Sequence, residues 1–386
     1  MRAASVSDYR ELARRRLPNI FFEYIDGGSY AEATLARNVA DLEAIALRQR
    51  VMQDMSKLDM SIITLGQAMA MPVGLAPVGM AGMYARRGEV QAARAAAAAG
   101  IPFCLSAMGV CDAEEVARTG VPPWYQLYML KDRGYMRELL ERVKAQGCPV
   151  LVFTVDLPTP GARYRDVRSG FTGATGVSGV VSQALDGLLH PAWMWDVWAN
   201  GRPHSLGSVA GSEAGAVSGK RGRVTDFLSW VARNFDRSVT WKDLDWVRET
   251  WDGPIVIKGV LDVEDARSAV KAGAQGLVVS NHGGRQLDGV RSSISALPKI
   301  AQAVGSDLEV YMDGGIRSGL DVLKAMALGA KACFVGRAWA YALGAGGEAQ
   351  VTRMLGTLKS ELAVAMILTG CATVRDAGRE LLDLDA

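Results

Sequence analysis

From about residue 70 onward, one pattern recurs along this chain: a short apolar run rich in β-branched residues, a turn rich in Gly, Pro, Ser or Asp, and an amphipathic helix. This alternation is the βα unit of a parallel sheet. Eight runs have strand character: MPVGLA (71–76), PFCLS (102–106), WYQLYM (124–129), VLVFTV (150–155), PIVIKG (254–259), GLVVSN (276–281), LEVYMD (308–313) and ACFVG (332–336). A doubly wound open sheet shares the alternation but normally has fewer strands. We therefore predict an α/β fold of the (β/α)₈ TIM-barrel type.

Helices are predicted between these strands, and several of them end at Gly, which helix C-termini favour. The clearest are GEVQAARAAAAAG (88–100), RGYMRELLERVKAQG (133–147), DVEDARSAVKAGA (262–274) and SGLDVLKAMALGA (318–330).

Two segments lie outside the repeat. Residues 1–60 have helical character and are expected to cap the barrel, bringing Tyr24 towards one mouth. After the fourth strand, residues 167–240 form an insertion too long for an ordinary βα loop, so we expect a lid or a contact surface. The whole chain, 1–386, is predicted to be a single domain.

Charge and cysteine content exclude several classes of protein. A net charge of +2 gives no general attraction to nucleic acid. The five cysteines are odd in number and lack metal-type spacing, which predicts reduced, mostly buried thiols and no metal site. Neither a signal peptide nor an apolar run of membrane-spanning length is evident, so a cytoplasmic protein is expected. Only three histidines are present, which simplifies the assignment of histidine chemistry.

Polar residues cluster where the predicted strands end, and in such barrels the C-terminal strand ends form the active face. Along the first six strands these candidates are Ala76, Pro77, Val78, Gly79, Ser106, Gln126, Tyr128, Thr154, Asp156, Arg163, Lys258, Ser280, His282 and Arg285. The last two strands run into DGGIRSG (313–319) and GRAWAY (336–341). Gly-rich turns backed by Arg317 and Arg337 fit the phosphate site of such barrels, although tight turns with surface arginines would look similar.

These residues carry a family resemblance. The run SNHGGRQLDG, followed by DGGIRSGLDVLKAMALGA and GRAWAYAL and preceded by QLY and TVD, resembles the FMN-dependent L-2-hydroxy acid dehydrogenase and oxidase family. The similarity extends from EYIDGG (23–28) to GRAWAYAL. Within the family, ARNVADLEAIALRQR, MYARRGEVQAA, VFTVDLPTPGARYRD and HPAWMWDV are most similar to the bacterial quinone-linked L-lactate dehydrogenases.

The resemblance implies FMN as cofactor and oxidation of an L-2-hydroxy acid, L-lactate to pyruvate being favoured. Removing two electrons and two protons requires a base near neutral pKa, and His282 fits this demand. It would take a proton either from the hydroxyl, with hydride transfer, or from the α-carbon, giving a carbanion; both routes stay open. Asp156 resembles the family carboxylate that holds the histidine, with a strand-end turn residue as the alternative.

The remaining roles follow from charge and from the family. Arg285, with Arg163 beside it, would bind the substrate carboxylate through bidentate hydrogen bonds, and Tyr24 and Tyr128 would add phenolic ones. Lys258 would place positive charge at the flavin N1–O2 edge. The other predicted flavin contacts are the backbone of Ala76, Pro77 and Val78, the ring-binding Ser106, Gln126, Thr154 and Ser280, the ribityl partner Asp313, and the phosphate-binding Gly314, Gly315, Arg317, Gly336 and Arg337.

The electron acceptor is predicted to be a quinone, with an oxidase that uses O₂ on lactate, glycolate or mandelate as the alternative. Gly79 resembles the glycine that the membrane-linked dehydrogenases have at a position where the glycolate oxidases carry alanine. Separately, the bulk of Met108 is expected to narrow the substrate pocket. Two classes of protein compete with this prediction. One is a non-catalytic, phosphate-binding barrel; the other is a barrel enzyme of a different kind, either an isomerase or another FMN oxidoreductase.

Residues 175–230 are rich in tryptophan and basic side chains, a composition suited to a lipid interface. The candidates are Trp193, Trp195, Trp198, Lys220, Arg221, Arg223 and Trp230. Peripheral contact with the cytoplasmic face of the inner membrane is therefore expected, the alternative being packing on the barrel or within an oligomer. The resemblance implies a homotetramer.

Overall fold

The computed structural model describes residues 3–171, 185–209, 231 and 233–383. The strands are β1 (Ile62–Thr64), β2 (Gln67–Met69), β3 (Val73–Leu75), β4 (Cys104–Ser106), β5 (Trp124–Leu127), β6 (Leu151–Thr154), β7 (Ile255–Val260), β8 (Gly276–Val279), β9 (Glu309–Asp313) and β10 (Ala332–Val335). The eight strands β3 to β10 form one sheet of parallel neighbours, in the order β3-β10-β9-β8-β7-β6-β5-β4. A parallel bridge between Leu75 and Phe103 joins the two ends of this sheet. The predicted (β/α)₈ barrel is confirmed.

Helices cover the barrel, and each predicted helix is present within a few residues of its predicted ends. They are α1 (Val6–Arg16), α2 (Asn19–Asp26), α3 (Ala33–Glu43), α4 (Gly88–Ala98), α5 (Ala113–Ala117), α6 (Arg133–Ala145), α7 (Tyr164–Arg168), α8 (Pro191–Trp193), α9 (Asp243–Arg248), α10 (Val263–Lys271), α11 (Ser293–Val304), α12 (Gly319–Ala327), α13 (Arg337–Gly346) and α14 (Glu348–Thr369). A π-helical turn, Met194–Ala199, continues α8.

The N-terminal helices begin as the sequence predicts. Ser5 caps α1 through a reciprocal capping box with Asp8, which satisfies backbone N–H groups that the first turn leaves unpaired. α2 buries Tyr24 and carries it to the barrel mouth, as expected. The helical part of the predicted 1–60 cap ends at Glu43, and residues 44–60 contain no helix. Instead, the backbone N–H groups of Arg48 and Arg50 donate to carbonyls of the C-terminal segment, those of Leu381 and Leu368.

The β1–β2 hairpin covers the N-terminal end of the barrel. Leu65 N donates to Glu309 Oε1 over 3.1 Å, and the hydroxyls of Thr64 and Tyr311 lie 2.6 Å apart. Glu309 is the first residue of β9. The hairpin therefore covers one mouth and leaves the opposite mouth, at the C-terminal strand ends, for a ligand.

The insertion between β6 and β7 is described only in part. Trp193 is buried, with its ring centroid 5.3 Å from that of Phe21 and its Nε1 donating to Met83 O. Trp195 and Trp198 are exposed. The other candidates, Lys220, Arg221, Arg223 and Trp230, lie outside the described residues. The five cysteines are buried free thiols, as predicted.

Candidate active site

A cleft of about 1070 Å³ opens at the C-terminal ends of the barrel strands. The predicted site residues that line it are Tyr24, Ala76, Pro77, Val78, Ser106, Tyr128, Arg163, Lys258, His282, Arg285, Asp313, Gly314, Arg317, Gly336 and Arg337. Five further predicted residues, Gln126, Thr154, Asp156, Ser280 and Gly315, do not line the cleft. They belong to the same strand ends, so the predicted set comes together in one place.

His282 and Asp156 form a hydrogen-bonded pair at the cleft wall. His282 Nδ1 lies 2.9 Å from Asp156 Oδ1. Because a carboxylate can only accept, Nδ1 carries the proton and Nε2 keeps a free lone pair. Burial lowers the pKa of His282 below its ordinary value, although Asp156 opposes that effect. Burial also acts to raise the pKa of Asp156, but His282 and Lys258 together hold it below its ordinary value. At neutral pH the pair is a neutral imidazole beside a carboxylate.

Two guanidinium groups and one phenol form a second cluster. The Arg285 guanidinium carbon lies 4.7 Å from the Tyr24 ring centroid, and that of Arg163 lies 5.9 Å from the same ring. Arg163 is buried, its Nε donates to Arg285 O over 3.2 Å, and its Nη1 is 3.9 Å from Asp166. Burial and the charge of Arg285 lower the pKa of Arg163. Two adjacent cations, one buried and one half-buried, are suited to a small anion such as a carboxylate.

Lys258 stands at the centre of the strand ends. Its Nζ lies 3.0 Å from Asp313 Oδ2 and 3.1 Å from Ser280 Oγ. Burial acts to lower the pKa of Lys258, but Asp313 and Asp156 outweigh it and raise that pKa. A bulge at this point of β7, where Gly259 has φ 110°, accompanies the register shift between Lys258 and Val260. The ammonium is therefore charged and faces the cleft.

Several buried polar atoms beside Lys258 have no partner among the described residues. They are Gln126 Nε2, Thr154 Oγ1 and Asp313 Oδ1. Each unsatisfied group of this type costs about 1–3 kcal/mol. Ser106, whose Oγ donates to Gln126 Oε1 over 3.0 Å, lines the cleft. A ring with alternating N–H and carbonyl groups on its edge would supply the missing partners, so the donor set fits an isoalloxazine.

The part of the cleft next to Arg285 offers further backbone and cationic groups. Each guanidinium nitrogen of Arg337 donates to one backbone carbonyl, Nε to Ile25, Nη1 to Gly283 and Nη2 to Gly27, so Nη1 and Nη2 each keep a second N–H. Burial, reinforced by the nearby Arg285 and Arg317, lowers the pKa of Arg337 to about 9. No carboxylate pairs with it among the described residues, which suits a phosphate there.

The turn after β9 separates the roles of its two glycines. Gly314 and Gly315 have φ of 92° and 90°, which favours glycine at both positions. Gly314 lines the cleft. Gly315 faces α3 instead, since a Cβ there would overlap the Asn38 carbonyl oxygen. Its glycine is required by helix packing as well as by the turn.

Apolar wall residues were not predicted as part of the site. Phe235 stacks on Tyr128, Phe171 stacks on Tyr24, and Leu157 and Val231 line the cleft. They follow the fourth strand or lie within the insertion, where no periodic pattern identifies them. Met108, which was expected to narrow the pocket, lines the cleft. It packs closely against Gly79, since a Cβ added to Gly79 would lie 3.4 Å from the Cβ of Met108. The sequence therefore identified the polar residues of the cleft but not the apolar residues of its wall.

A closed (β/α)₈ barrel whose mouth combines a His–carboxylate pair, paired guanidinium groups and a donor set for a flavin is typical of flavin-dependent oxidoreductases. A model of the FMN-dependent dehydrogenase family matches residues 13–384. The chain belongs to that family. The predicted FMN cofactor and the predicted oxidoreductase acting on the CH–OH group of a 2-hydroxy acid are confirmed.

Curated relatives match over almost the whole chain. A protein named L-lactate dehydrogenase from Caulobacter vibrioides (strain NA1000 / CB15N) is 56% identical over 383 residues, covering 99% of this chain and 98% of the relative. One of the same name from Haemophilus influenzae (strain PittEE) is 56% identical over 380 residues, covering 98% of each.

Solved structures with the same fold include a mandelate oxidase with (S)-4-hydroxymandelic acid, at TM-score 0.84 and 38% identity, covering 99% of this chain and 98% of that one. A structure described as the monotopic membrane protein (S)-mandelate dehydrogenase has TM-score 0.90 and 32% identity, covering 99% of this chain and 100% of that one.

Proposed function

We propose that this enzyme oxidises L-lactate to pyruvate and passes the electrons to a quinone. The observation that carries the proposal is that His282, hydrogen-bonded from behind by Asp156, lines the same cleft as Arg163 and Arg285. Relatives at 55–56% identity over nearly the full chain, named L-lactate dehydrogenase, support the choice of acid.

Substrate binding begins with the carboxylate. In the proposed complex, Arg285 and Arg163 bind it, and the Tyr24 hydroxyl adds a hydrogen bond. Arg285 Nη1 donates to Tyr24 O and Gly27 O, so its guanidinium has a fixed position before substrate arrives. Pre-formed cationic groups lose little conformational freedom on binding, which favours a small acid of few contacts.

The base is proposed to be His282. Its free Nε2 accepts a proton from the substrate, and Asp156 stabilises the imidazolium that results. FMN, when bound, would supply the oxidant, taking up the two electrons and the second proton that are lost as CH–OH becomes C=O. The Tyr128 hydroxyl, whose pKa is raised by burial and by Asp156, stays protonated and donates to the substrate oxygen.

The flavin contacts are proposed as follows. The charged Lys258 offsets negative charge at the N1–O2 edge, and Gln126, Thr154, Ser106 and Ser280 hydrogen-bond the ring. The phosphate lies at Gly314, Arg317, Gly336 and Arg337, with Gly315 shaping the turn and Asp313 near the ribityl chain. Ala76, Pro77 and Val78 contact the ring by backbone.

The size of the substrate side chain is proposed to be limited by Met108 and Phe235. Both line the cleft close to the substrate residues, and Met108 is buried. Unbranched methionine adapts its shape but still occupies volume, which favours a methyl group over a phenyl ring.

A quinone acceptor implies contact with a membrane. Leu188, Leu189 and Trp195 are 67%, 79% and 73% exposed on the insertion, a cluster that suits partial burial in lipid. No described helix is long and apolar enough to cross a bilayer. The similarity to a monotopic dehydrogenase supports peripheral attachment, for which we propose the cytoplasmic face. A homotetramer is part of the same proposal.

An anaerobic stopped-flow series tests the chemistry. L-lactate should bleach the flavin absorbance faster than glycolate or L-mandelate, and D-lactate serves as the matched control. After reduction, a soluble quinone analogue should reoxidise the flavin faster than O₂. Absence of bleaching with every L-2-hydroxy acid would overturn the proposed reaction.

The alternative acceptor is O₂. The mandelate oxidase structures support it, since they share the fold at 38% identity. Faster reoxidation by O₂ than by the quinone analogue in the same series would favour an oxidase.

A further inference from the structure

His282 has a backbone conformation that residues with side chains rarely adopt. Its φ is 57°, and Gly283 and Gly284 follow with φ of 65° and 72°. The left-handed conformation is unfavourable for a residue with a Cβ, because the Cβ lies too close to the following carbonyl oxygen. The hydrogen bond to Asp156 fixes the imidazole ring of His282 but not the backbone of residues 282–284, so other contacts must hold this turn.

Asn281 closes the turn across His282. Its side-chain Oδ1 accepts from Gly284 N over 3.0 Å, and its backbone O accepts from the same N–H. The amide Nδ2 donates to Arg291 O over 3.2 Å and to Asn38 Oδ1 over 2.7 Å. Asn281 is buried. Its amide therefore links the turn to a residue on α3.

Asn38 completes a reciprocal pair of amides. Its Nδ2 donates to Asn281 Oδ1 over 2.8 Å, and its Oδ1 also accepts from Ser293 N over 3.3 Å. Because a backbone N–H fixes the oxygen of each amide, the two NH₂ groups can only face each other's oxygens. Asn38 is 1% exposed, so loss of either partner leaves a buried polar group unsatisfied.

The helix that carries Asn38 is itself attached to the same loop. Asp288 accepts from the backbone N–H groups of Ala33 and Thr34 at the start of α3, and Arg37 donates to Val290 O over 2.7 Å. A Cβ on Gly314 would lie 3.4 Å from Asn38 Nδ2. The pair thus lies between the His282 turn and the turn after β9.

We propose that the Asn38–Asn281 amide pair is a positioning element that holds His282 in its left-handed turn, with Nε2 directed at the substrate. Neither amide lines the cleft, so both act through His282. This inference rests on the proposed function, because it takes His282 as the base.

Asn38→Asp tests the pair with almost no change in shape. The carboxylate still accepts from Asn281 Nδ2 and Ser293 N, but it cannot donate to Asn281 Oδ1. We expect turnover per bound FMN to fall about 10- to 100-fold, the usual effect of a displacement near 1 Å. The KM for the hydroxy acid should change little, because Arg163 and Arg285 are held by other contacts.

Arg37→Met is the matched control. It removes another hydrogen bond between α3 and the same loop but leaves the amide pair intact. Turnover per bound FMN should equal that of the wild type. If the charge in Asn38→Asp prevents folding, Asn38→Ala carries the same expectations without it.

A spectroscopic measurement separates positioning from general damage. With only three histidines, ¹⁵N-histidine labelling of the holoenzyme gives few signals, and His282→Gln identifies those of His282. Asn38→Asp should shift or broaden the His282 signals and leave those of His190 and His204 unchanged. Unchanged His282 signals, with or without lost turnover, would overturn the inference. Full turnover of His282→Gln would instead remove the proposed base and leave the spectral result interpretable.

Discussion

Two arginines in the cleft, Arg285 and Arg337, are held by backbone carbonyls and form no ion pair with a carboxylate among the described residues. Arg285 and Arg337 both donate to the Gly27 carbonyl oxygen, over 2.9 and 2.8 Å. Backbone carbonyls fix these guanidinium groups without neutralising them. The unbalanced charge therefore remains available for anionic groups, which is consistent with the proposed substrate carboxylate at Arg285 and the proposed phosphate at Arg337.

The base is tested by His282→Gln. Glutamine keeps hydrogen-bonding ability but cannot accept a proton near neutral pH, so turnover should fall about 10²–10⁴-fold. FMN content, measured by visible absorbance after gel filtration, should match that of the wild type, because His282 is not among the proposed flavin partners. Lactate oxidation at the normal rate would disprove the assignment.

The acid side of the pH profile tests the pair. The proposed base acts only when His282 is neutral, and the pKa of this residue lies below its ordinary value of 6.5. The kcat/KM of the wild type should therefore decline only below pH 6.5. Asp156 favours the imidazolium, so Asp156→Asn should move this decline to lower pH.

The same variant should also lower turnover, because an amide can donate to Nδ1 and reverse the tautomer. Asp166→Asn, a neighbouring buried carboxylate that contacts Arg163 and not His282, is the control for the shift. A decline that moves to higher pH in Asp156→Asn would contradict the electrostatic assignment.

The sequence predicted polar site residues better than their supports. Lys258 lies near the C-terminal end of β7, and His282 and Arg285 follow β8, so the barrel pattern alone brings them to one face. Asn38 had no comparable signal, because its partner Asn281 is 243 residues away in the chain and its helix looks like an ordinary amphipathic one. Contacts of this kind depend on how α3 packs, which local pattern does not determine.

At the scale of secondary structure, the strands and main helices of the βα repeat were predicted, whereas two elements outside the repeat were not. The β1–β2 hairpin was missed because it precedes the repeat that identified the other three-residue strands, and three residues are too few for alternation to be recognised alone. The C-terminal helix α14 follows the last strand of the repeat and was not assigned. Predicted helix ends that extended to Gly100 and Gly147 instead stop two residues earlier, since these glycines lie in the left-handed turns that follow.

Two glycines in the C-terminal helices should respond oppositely to alanine. A Cβ on Gly319 would overlap backbone atoms of Leu362 and Leu358, where α12 meets α14, whereas a Cβ on Gly356 meets nothing within 4 Å. Gly319→Ala should lower the free energy of unfolding by about 1–3 kcal/mol. Gly356→Ala, inside α14, should raise it by about 0.5–1 kcal/mol.

Urea denaturation of the holoenzyme measures both changes. Comparing Gly319→Ala with Gly356→Ala controls for the general effect of alanine on a helix, because the two glycines differ in how closely a neighbouring helix packs against them. Equal effects at the two positions would show that the close approach of α12 and α14 is absent.

At the scale of the whole molecule, the exposed apolar cluster on the insertion predicts a membrane-facing side. Leu189→Glu should weaken sedimentation with anionic phospholipid vesicles about 10-fold or more, since burying one such side chain stabilises by about 1.5–3 kcal/mol. Val364→Glu, an equivalent change at a 55% exposed site on α14, should leave vesicle binding unchanged. Wild-type protein that never sediments with vesicles would exclude lipid contact.

The closure of the barrel between β3 and β4 rests on a single bridge, Leu75 with Phe103, and on the bond from Leu75 N to Pro102 O. The other neighbouring strands share longer ladders. This seam is therefore the place where the cylinder should open first in local unfolding. Amide protons on either side of it should exchange with deuterium sooner than those at the β7–β8 junction on the other side of the barrel.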